Sequence, residues 1–309
     1  MIDFFFTYES LFDLILVNAL LAMSQYVVLR AGVFSLGTAG FAALGAYGCA
    51  LLVTRAGWPP ALAIAAGMAI GTAASVLLAL PLSRLRGVFQ AVATLAFVQI
   101  VLSATQNWVE LTNGALGING IPKVVGLGTL TVVTLLVVAF LVAMGRFSFG
   151  RALDVIREDE TVAVSLGISV PRYHRIAFIM SGALAGLAGG LHACNSYTIT
   201  PGEFGFQMLV NVLAMVVLGG RTSVWGALAG AAILSTLPEL FRVFADYRNM
   251  VQGVLMMLVI VYLPRGVADS FIVAVGDRRS RQASAVHGPR HETAVSVVHA
   301  AASDAGVRP

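Results

Sequence analysis

The segment with the clearest potential for chemistry is residues 146–175, a charged stretch in an otherwise apolar chain. An acidic run occupies its middle, and exposed carboxylates can pair with basic residues of another protein across an interface. The candidate contact residues are Arg157, Glu158, Asp159, Glu160, Ala163 and Gly167. The alternative is that this segment is only a rigid connector between its neighbours.

Apolar residues of this segment recur every three or four positions, which predicts a helix of its own. These residues include Leu153, Ile156, Ala163 and Leu166. Gly150 precedes the predicted helix and Gly167 ends it. Pro171 can open the next segment, because its missing amide donor costs little near a helix start. The segment therefore predicts a short amphipathic helix that presents a shaped surface to a soluble partner.

Uncharged polar residues inside the apolar stretches form a second candidate group. Asn18 and Gln25 lie seven positions apart, so on a helix they share a face to within about 20°, and Gln99 and Gln106 repeat this spacing. Such groups suit a solute that carries its own charges or dipoles and must be released after capture. The candidate pathway residues are Asn18, Gln25, Gln90, Thr94, Gln99 and Asn211. Each could instead form a hydrogen bond between helices.

The apolar stretches themselves predict a membrane protein. The hydrophobic fraction is 58% and the charged fraction is 11%, whereas soluble domains have about 25% charged residues. A helix needs about 20 apolar residues to cross a bilayer core about 30 Å thick. The candidate spans are 11–29, 36–54, 61–82, 88–106, 128–145, 176–195, 207–220, 224–241 and 249–263. We therefore expect an all-α polytopic fold with about nine (eight to ten) spans, of which 207–220 is short and could be a half-helix or a re-entrant segment.

The distribution of basic residues predicts the orientation in the membrane. If residues 146–175 are cytoplasmic, strict alternation also places Arg30, Arg84, Arg86, Arg221 and Arg265 inside. The basic residues left outside are Arg55, Lys123, Arg242 and Arg248. The larger number marks the cytoplasmic side and places the N-terminus outside. The first apolar run lacks a basic leader and carries Asp3, Glu9 and Asp13, so we interpret it as a retained helix and not as a cleaved signal.

Residues 276–309 differ from the rest of the chain in composition. They are charged and contain no aromatic residue, so they cannot bury enough apolar surface to offset the loss of chain entropy. We expect a disordered cytoplasmic tail. Its histidines, His287, His291 and His299, have no scaffold that would hold a metal, and no metal site is predicted.

Glycines recur every four residues in several predicted spans. The sets are Gly182, Gly186 and Gly190; Gly67 and Gly71; and Gly226 and Gly230. This spacing places the glycines on one face of a helix, where two backbones can approach closely. Residues 32–48 are the richest in glycine. The pattern predicts tightly packed, partly broken helices around a pathway.

The sequence also indicates how transport would be driven. No acidic residue lies in the middle of a predicted span, whereas ion-driven carriers usually place a carboxylate in the membrane. The only lysine, Lys123, is not in a phosphate-binding loop, so any ATPase must be a separate subunit that binds at residues 146–175. A passive channel or a secondary carrier remains the alternative from another class.

An enzyme is not expected, and the cysteines are expected to be packing residues. His192 is the only histidine inside a predicted span, and no Gly-x-Ser-x-Gly sequence is present. Cys49 and Cys194 both lie toward the outer ends of their spans. A disulfide between them is conceivable, but unpaired small side chains in the helix packing are favoured.

Four stretches carry a resemblance to a known family. They are GVFSLGTAGFAALGAY (32–47), LTNGALGINGIP (111–122), the charged stretch 150–174, and LAMVVLGGRTSVWGALAGA (213–231). In this order the chain resembles the inner-membrane permeases of branched-chain amino acid ABC importers, of the LivM type, up to about residue 270. Thr38 stands where histidine is frequent in the family. Glu160, Ala163 and Gly167 loosely match the Glu-Ala-Ala…Gly signature of importer permeases, with the glutamate one residue further from the glycine.

The resemblance implies an architecture and a set of partners. Residues 1–270 would form the transmembrane permease domain in the bacterial inner membrane, with 146–175 as its cytoplasmic coupling segment. A second, related permease, two ATP-binding cassette subunits and a periplasmic solute-binding protein would complete the importer, with no nucleic acid involved. The chain itself would need no cofactor, because ATP would bind the partner subunits. The solute would be a branched-chain amino acid, another amino acid, or a small amide such as urea.

Overall fold

Helices account for almost all of the structure. The computed structural model describes residues 2–82, 85, 87–220, 223–240 and 253. The helices are α1 (Ile2–Arg30), α2 (Thr38–Thr54), α3 (Pro60–Leu82), α4 (Val88–Asn107), α5 (Val109–Thr112), α6 (Leu127–Arg146), α7 (Ser148–Glu158), α8 (Glu160–Ser165), α9 (Val170–Asn195), α10 (Phe206–Gly219) and α11 (Val224–Leu240). The described residues also form two short strands, β1 (Ile118–Asn119) and β2 (Thr198–Ile199), and the 3₁₀ turns Gly114–Leu116 and Pro201–Phe204. The expected all-α polytopic architecture is confirmed.

Among the described residues, five helices are long and apolar enough to cross a membrane. They are Glu9–Arg30 within α1, together with α3, α4, α6 and α9, and shorter apolar helices cover Thr38–Thr54, Phe206–Gly219 and Val224–Leu237. Every predicted span up to 224–241 is thus a helix, whereas 249–263 and the tail 276–309 lie outside the described residues except for Gly253. Helix α9 begins at Val170, before the apolar span that starts at residue 176, and its first turns carry polar residues.

The helix ends separate into two sides, which we call inner and outer. On the inner side, which carries residues 146–169, the end of α1 is joined to α7 by an ion pair between Arg30 and Asp154. On the outer side, which carries residues 108–126 and 196–205, β1 pairs antiparallel with β2. Arg55 also donates to the Glu110 carbonyl there, at 2.6 Å. These contacts place the ends of α1 and α2 on opposite sides, as the predicted alternation requires. That the inner side is cytoplasmic stays a prediction, which rests on the basic residues.

Helix α9 packs against α2 and α3 through glycines. A Cβ atom at Gly186 would lie 2.7 Å from the Gly67 carbonyl oxygen and 3.0 Å from the Gly71 Cα. A Cβ at Gly71 would lie 2.6 Å from the Gly182 carbonyl oxygen. Real Cβ atoms do not come this close to backbone, so these positions admit only hydrogen. The close approach predicted from the four-residue glycine spacing is confirmed.

Helices α10 and α11 form a hairpin on the same principle. A Cβ at Gly226 would lie 2.5 Å from the Gly219 carbonyl oxygen, which brings the two backbones together next to the turn. Helix α10 has 14 residues, which at 1.5 Å per residue corresponds to about 21 Å, less than the thickness of a bilayer core. The predicted shortness of this segment is therefore confirmed.

The two cysteines lie at the contact between α2 and α9. Both are free and buried, and their sulfur atoms are 3.5 Å apart, beyond the bonded distance of about 2.05 Å. The prediction that they are unpaired packing residues is confirmed.

The glycine contact at Gly186 makes a direct stability prediction. We expect Gly186→Ala to push α9 away from α3 and to lower the free energy of unfolding by about 1–3 kcal/mol, as overpacking usually does. The matched control is Gly128→Ala in α6, where a Cβ would meet nothing within 4 Å. Thermal unfolding of the purified protein in detergent measures both variants, and equal midpoints for the two would contradict the assigned contact.

Candidate functional site

Helix α7 is held against the inner end of α1 by a bidentate ion pair. Arg30 Nε donates to Asp154 Oδ1 and Arg30 Nη2 to Asp154 Oδ2, both at 2.9 Å. Arg30 Nη1 also donates to the Tyr26 hydroxyl at 3.3 Å. The side chain of Arg30 is 9% exposed and that of Asp154 is 42% exposed. A bidentate pair of this kind fixes orientation as well as distance, so α7 cannot turn freely relative to α1.

The charged segment contains two helices where the sequence predicted one. Asp159 is extended, with φ −156° and ψ 114°, and separates α7 from α8. Its Oδ1 accepts from the backbone amides of Thr161 at 2.7 Å and Val162 at 3.3 Å. These hydrogen bonds hold the pKa of the Asp159 carboxyl below its ordinary value. The prediction of a single helix was wrong, because Asp159 caps the start of a second helix.

The prediction that Gly150 precedes the helix was also wrong. This glycine is required by local packing. Gly150 lies inside α7, which begins at Ser148, and a Cβ there would lie 2.5 Å from the Gly145 carbonyl oxygen. The glycine therefore allows the chain to fold back closely after α6, and it does not mark the helix start.

The end of α8 follows the sequence prediction closely. Gly167 has φ +79°, and its amide donates to the Val164 carbonyl at 2.9 Å. The amide of Ile168 donates to the Ala163 carbonyl at 3.0 Å. This pair of hydrogen bonds is a Schellman motif, which favours glycine at the left-handed position. Ala163 is fully buried with Ile156 and Val170, and Pro171 lies in the first turn of α9 as expected.

The acidic residues of the segment differ in their surroundings. Asp159 is committed to capping α8, whereas Glu158 and Glu160 are exposed. Glu160 lines a cavity of about 270 Å³ on the inner side, between α8, the start of α9 and the connection from α3 to α4. Gln90, His174 and Arg175 share this cavity. The predicted pathway residue Gln90 therefore lines the same cavity as the predicted coupling residue Glu160.

A second cavity, of about 380 Å³, lies between α1, α9, α10, α11 and the turn Pro201–Phe204. Its polar lining residues are Asn18, His192, Glu203, Gln207, Asn211 and Ser235. Its apolar lining includes Leu14, Val17, Leu21, Met208, Val212 and Met215. We call this space the outer cavity, because Glu203 belongs to the outer side. Two of the predicted pathway residues, Asn18 and Asn211, lie in it.

Hydrogen bonds position the polar groups of the outer cavity. Asn18 Nδ2 donates to Ser235 Oγ at 2.9 Å, which ties α1 to α11. Gln207 Nε2 donates to Asn211 Oδ1 at 3.3 Å along α10. His192 Nε2 and Glu203 Oε2 lie 3.1 Å apart. The cavity thus carries amides on one part of its wall and a histidine–glutamate pair on another.

The sequence interpretation did not include Glu203. Its Oε1 accepts from the amide of Thr200 at 3.1 Å and from the Thr200 hydroxyl at 3.0 Å. Burial alone would raise the pKa of this carboxyl, but the hydrogen bonds from His192 and Thr200 outweigh burial and lower it. The signals that could have identified it were the Thr200–Pro201 pair, followed by Glu203 at capping-box spacing, and a histidine inside a span.

The other predicted pathway residues lie elsewhere. Gln25 is buried and donates to the Ser35 carbonyl at 2.7 Å, while Thr38 donates to its oxygen. Thr94 accepts from the amide of Leu36 at 2.9 Å. Both residues thus fix the connection between α1 and α2 and line neither cavity. Gln99 is exposed on the surface of α4.

The outer cavity is suited to binding a small amphipathic molecule. An apolar wall and a few convergent polar groups are typical of small-molecule sites. Among the described residues, no group of three or more histidine, cysteine, aspartate or glutamate side chains could hold a metal ion.

Comparisons with known proteins place the chain among transport permeases. The model of the family described as branched-chain amino acid transport system / permease component matches residues 8–260. The chain is 36% identical over 277 residues to the high-affinity branched-chain amino acid transport system permease protein LivM of Escherichia coli K12, covering 78% of this chain and 65% of that protein. It thus spans about two thirds of that relative's length.

Two further relatives are more distant. LivH of Salmonella typhimurium LT2, a high-affinity branched-chain amino acid transport system permease protein, is 32% identical over 139 residues, covering 44% of this chain and 45% of its own. The autoinducer 2 import system permease protein LsrC of Escherichia coli SMS-3-5 is 26% identical over 165 residues, covering 50% of this chain and 48% of its own. No solved structure matches the chain.

The family match covers most of the described helices, from the first membrane span through the charged segment to the α10–α11 hairpin. The chain belongs to the family of branched-chain amino acid transport system permease components.

Proposed function

We propose that this chain is a permease subunit of an ATP-driven importer in the bacterial inner membrane. It forms half of the translocation pathway for branched-chain amino acids or similar small polar solutes. The observation that carries the proposal is the α7–α8 segment. Exposed Glu158 lies on α7, which the Arg30–Asp154 pair clamps to α1, and exposed Glu160 lies on α8, whose start is capped by Asp159. A loop that only connected two spans would need neither the clamp nor the two helix caps.

The proposed importer contains several partners of this chain. ATP is hydrolysed on two separate ATP-binding subunits that dock on the α7–α8 segment. A second, related permease completes the pathway, and a periplasmic binding protein delivers the solute on the outer side. Closure of the ATPases moves α7, and the bidentate pair transmits that movement to the inner end of α1. The outer and inner sides then open in turn.

The outer cavity supports the proposed class of solute. Methionine, valine and leucine side chains of its wall match an aliphatic side chain, while the His192–Glu203 pair and the amides of Asn18 and Asn211 match charged or dipolar groups. Urea or a short amide would leave the apolar wall without a partner. This lining therefore favours an aliphatic amino acid over the smaller amides.

Charge reversal at the exposed carboxylate of Glu160 tests the proposed docking surface. We expect Glu160→Arg to insert and fold normally, because surface substitutions usually change stability by no more than about 0.5 kcal/mol. It should nevertheless lose most solute uptake, since reversing one partner of an interfacial charge pair holds like charges together. Uptake and the amount of co-purified ATPase are measured at equal permease level in the membrane.

Glu110→Arg is the matched control for this reversal. Glu110 is exposed on the outer side, away from the proposed docking surface, so the same change in charge there should leave ATPase association at the wild-type level. Normal uptake and normal ATPase association by Glu160→Arg would contradict the proposed docking surface.

The pair in the outer cavity predicts a pH dependence of stability. Because the folded state lowers the pKa of Glu203 from its ordinary value of 4.5, the carboxylate stabilises the fold above that pH, and the stabilisation is lost as the pH falls through the lowered pKa. Wild type should therefore unfold at a higher temperature than Glu203→Gln at pH 7, and the difference should shrink in acid. Glu110→Gln serves as the control. A difference that grew in acid would contradict the assigned contacts.

A further inference from the structure

The outward faces of the membrane-spanning helices are not equivalent. Helices α3 and α6 expose apolar side chains along their middle, such as Leu77 at 73% and Leu135 at 62% exposure. The exposed residues in the middle of α6 are Val132, Leu135, Leu136, Ala139, Phe140 and Ala143. Faces of this composition are suited to contact with lipid tails.

Helix α4 has a different exposed face. In its inner half the exposed residues are apolar, with Val88 at 76% and Phe89 at 75% exposure. In its outer half the exposed residues include Gln99, Ser103, Gln106 and Asn107. Since 100° separates successive residues of a helix, these four side chains lie within a sector of about 100° and form one stripe. We call them the α4 polar stripe.

The depth of this stripe makes contact with lipid costly. Helix α4 runs over 20 residues from Val88 to Asn107, so Gln99 lies about 12 Å from its outer end at 1.5 Å per residue, close to the middle of the bilayer. Asn107 donates to the Ser103 carbonyl at 2.8 Å. Within the described part of the chain, the side-chain amides of Gln99 and Gln106 have no hydrogen-bond partner. An unpaired amide in hydrocarbon is strongly unfavourable, because no water is present to satisfy it.

One turn on the outer side contacts α4 and also lines the outer cavity. The turn Pro201–Phe204 packs against both α4 and α10, and it carries Glu203, which lines that cavity. A space that joined the stripe to the outer cavity would therefore pass this turn.

We propose that the α4 polar stripe faces the second permease subunit across a water-filled vestibule that leads to the outer cavity. This inference rests on the proposed function and assigns it a surface. Water or polar groups of the partner satisfy the amides of Gln99 and Gln106, while the apolar inner half of α4 packs on the partner and closes the vestibule on the inner side. Helices α3 and α6 face lipid.

Single cysteines in the complete complex test this surface. Gln99→Cys and Ser103→Cys are compared with Leu135→Cys, which lies at a similar depth on α6 and is also exposed. The native Cys49 and Cys194 are fully buried, and the unsubstituted chain measures any background they give. Membranes containing the whole complex are treated with a water-soluble methanethiosulfonate and, separately, with a thiol-attached photo-cross-linker, whose products are identified by mass spectrometry.

The expected result has two parts. The thiols introduced at positions 99 and 103 should react about tenfold faster than the thiol introduced at position 135, because the reactive thiolate forms in water and not in lipid. Cross-links from position 99 should lead to peptides of the related permease. Slow labelling without a cross-link to that subunit would place lipid or another part of this chain on the stripe and overturn the proposal.

Two further outcomes of this experiment distinguish the proposed interface from the proposed function. Fast labelling with cross-links only within this chain, or to a second copy of it, would overturn the assigned partner. Association of ATPase subunits is scored in the same preparations. Cross-linking to the related permease without any ATPase would refute the ATP-driven function and still support the interface.

Discussion

The contact between the backbones of α9, α2 and α3 is the constraint on which the rest of the structure depends. Gly186 of α9 lies so close to Gly67 and Gly71 of α3 that no side-chain carbon fits between them. In a membrane, where the hydrophobic effect does not bring helices together, such contacts gain dispersion energy from close approach. They fix the position of α9, whose inner end carries the charged segment and whose outer end carries His192.

The Arg30–Asp154 pair connects this packed unit to the segment that faces the proposed ATPases. Because both nitrogen–oxygen contacts measure 2.9 Å, a displacement of α7 must move the end of α1 or break the pair. Asn18 lies on the same helix and reaches Ser235 of α11 at the outer cavity. A single helix thus joins the proposed docking segment to the proposed solute site and would give the proposed coupling a continuous physical route.

Most of the described helices and their glycine contacts were predictable, because membrane helices have recognisable sequence patterns. Apolar runs predicted the described spans, and four-residue glycine spacing predicted their contacts. The break at Asp159 was missed, since a capping aspartate interrupts a helix without changing its apolar spacing. Gln25 and Thr94 were predicted to line the pathway, but they fix the α1–α2 connection. Sequence spacing shows which side chains share a helix face, and it does not show which groups of other elements they contact. Glu203 was missed because its partner His192 is eleven residues away across a turn of unpredicted shape.

The central claim is that ATP bound by separate subunits drives solute import through this chain. The most direct measurement is uptake of radiolabelled leucine into proteoliposomes that contain the complete complex, with binding protein outside and ATP enclosed. The account predicts uptake that requires enclosed ATP and persists when an ionophore abolishes proton and sodium gradients. Uptake that proceeds without ATP and disappears with the ion gradients would contradict it.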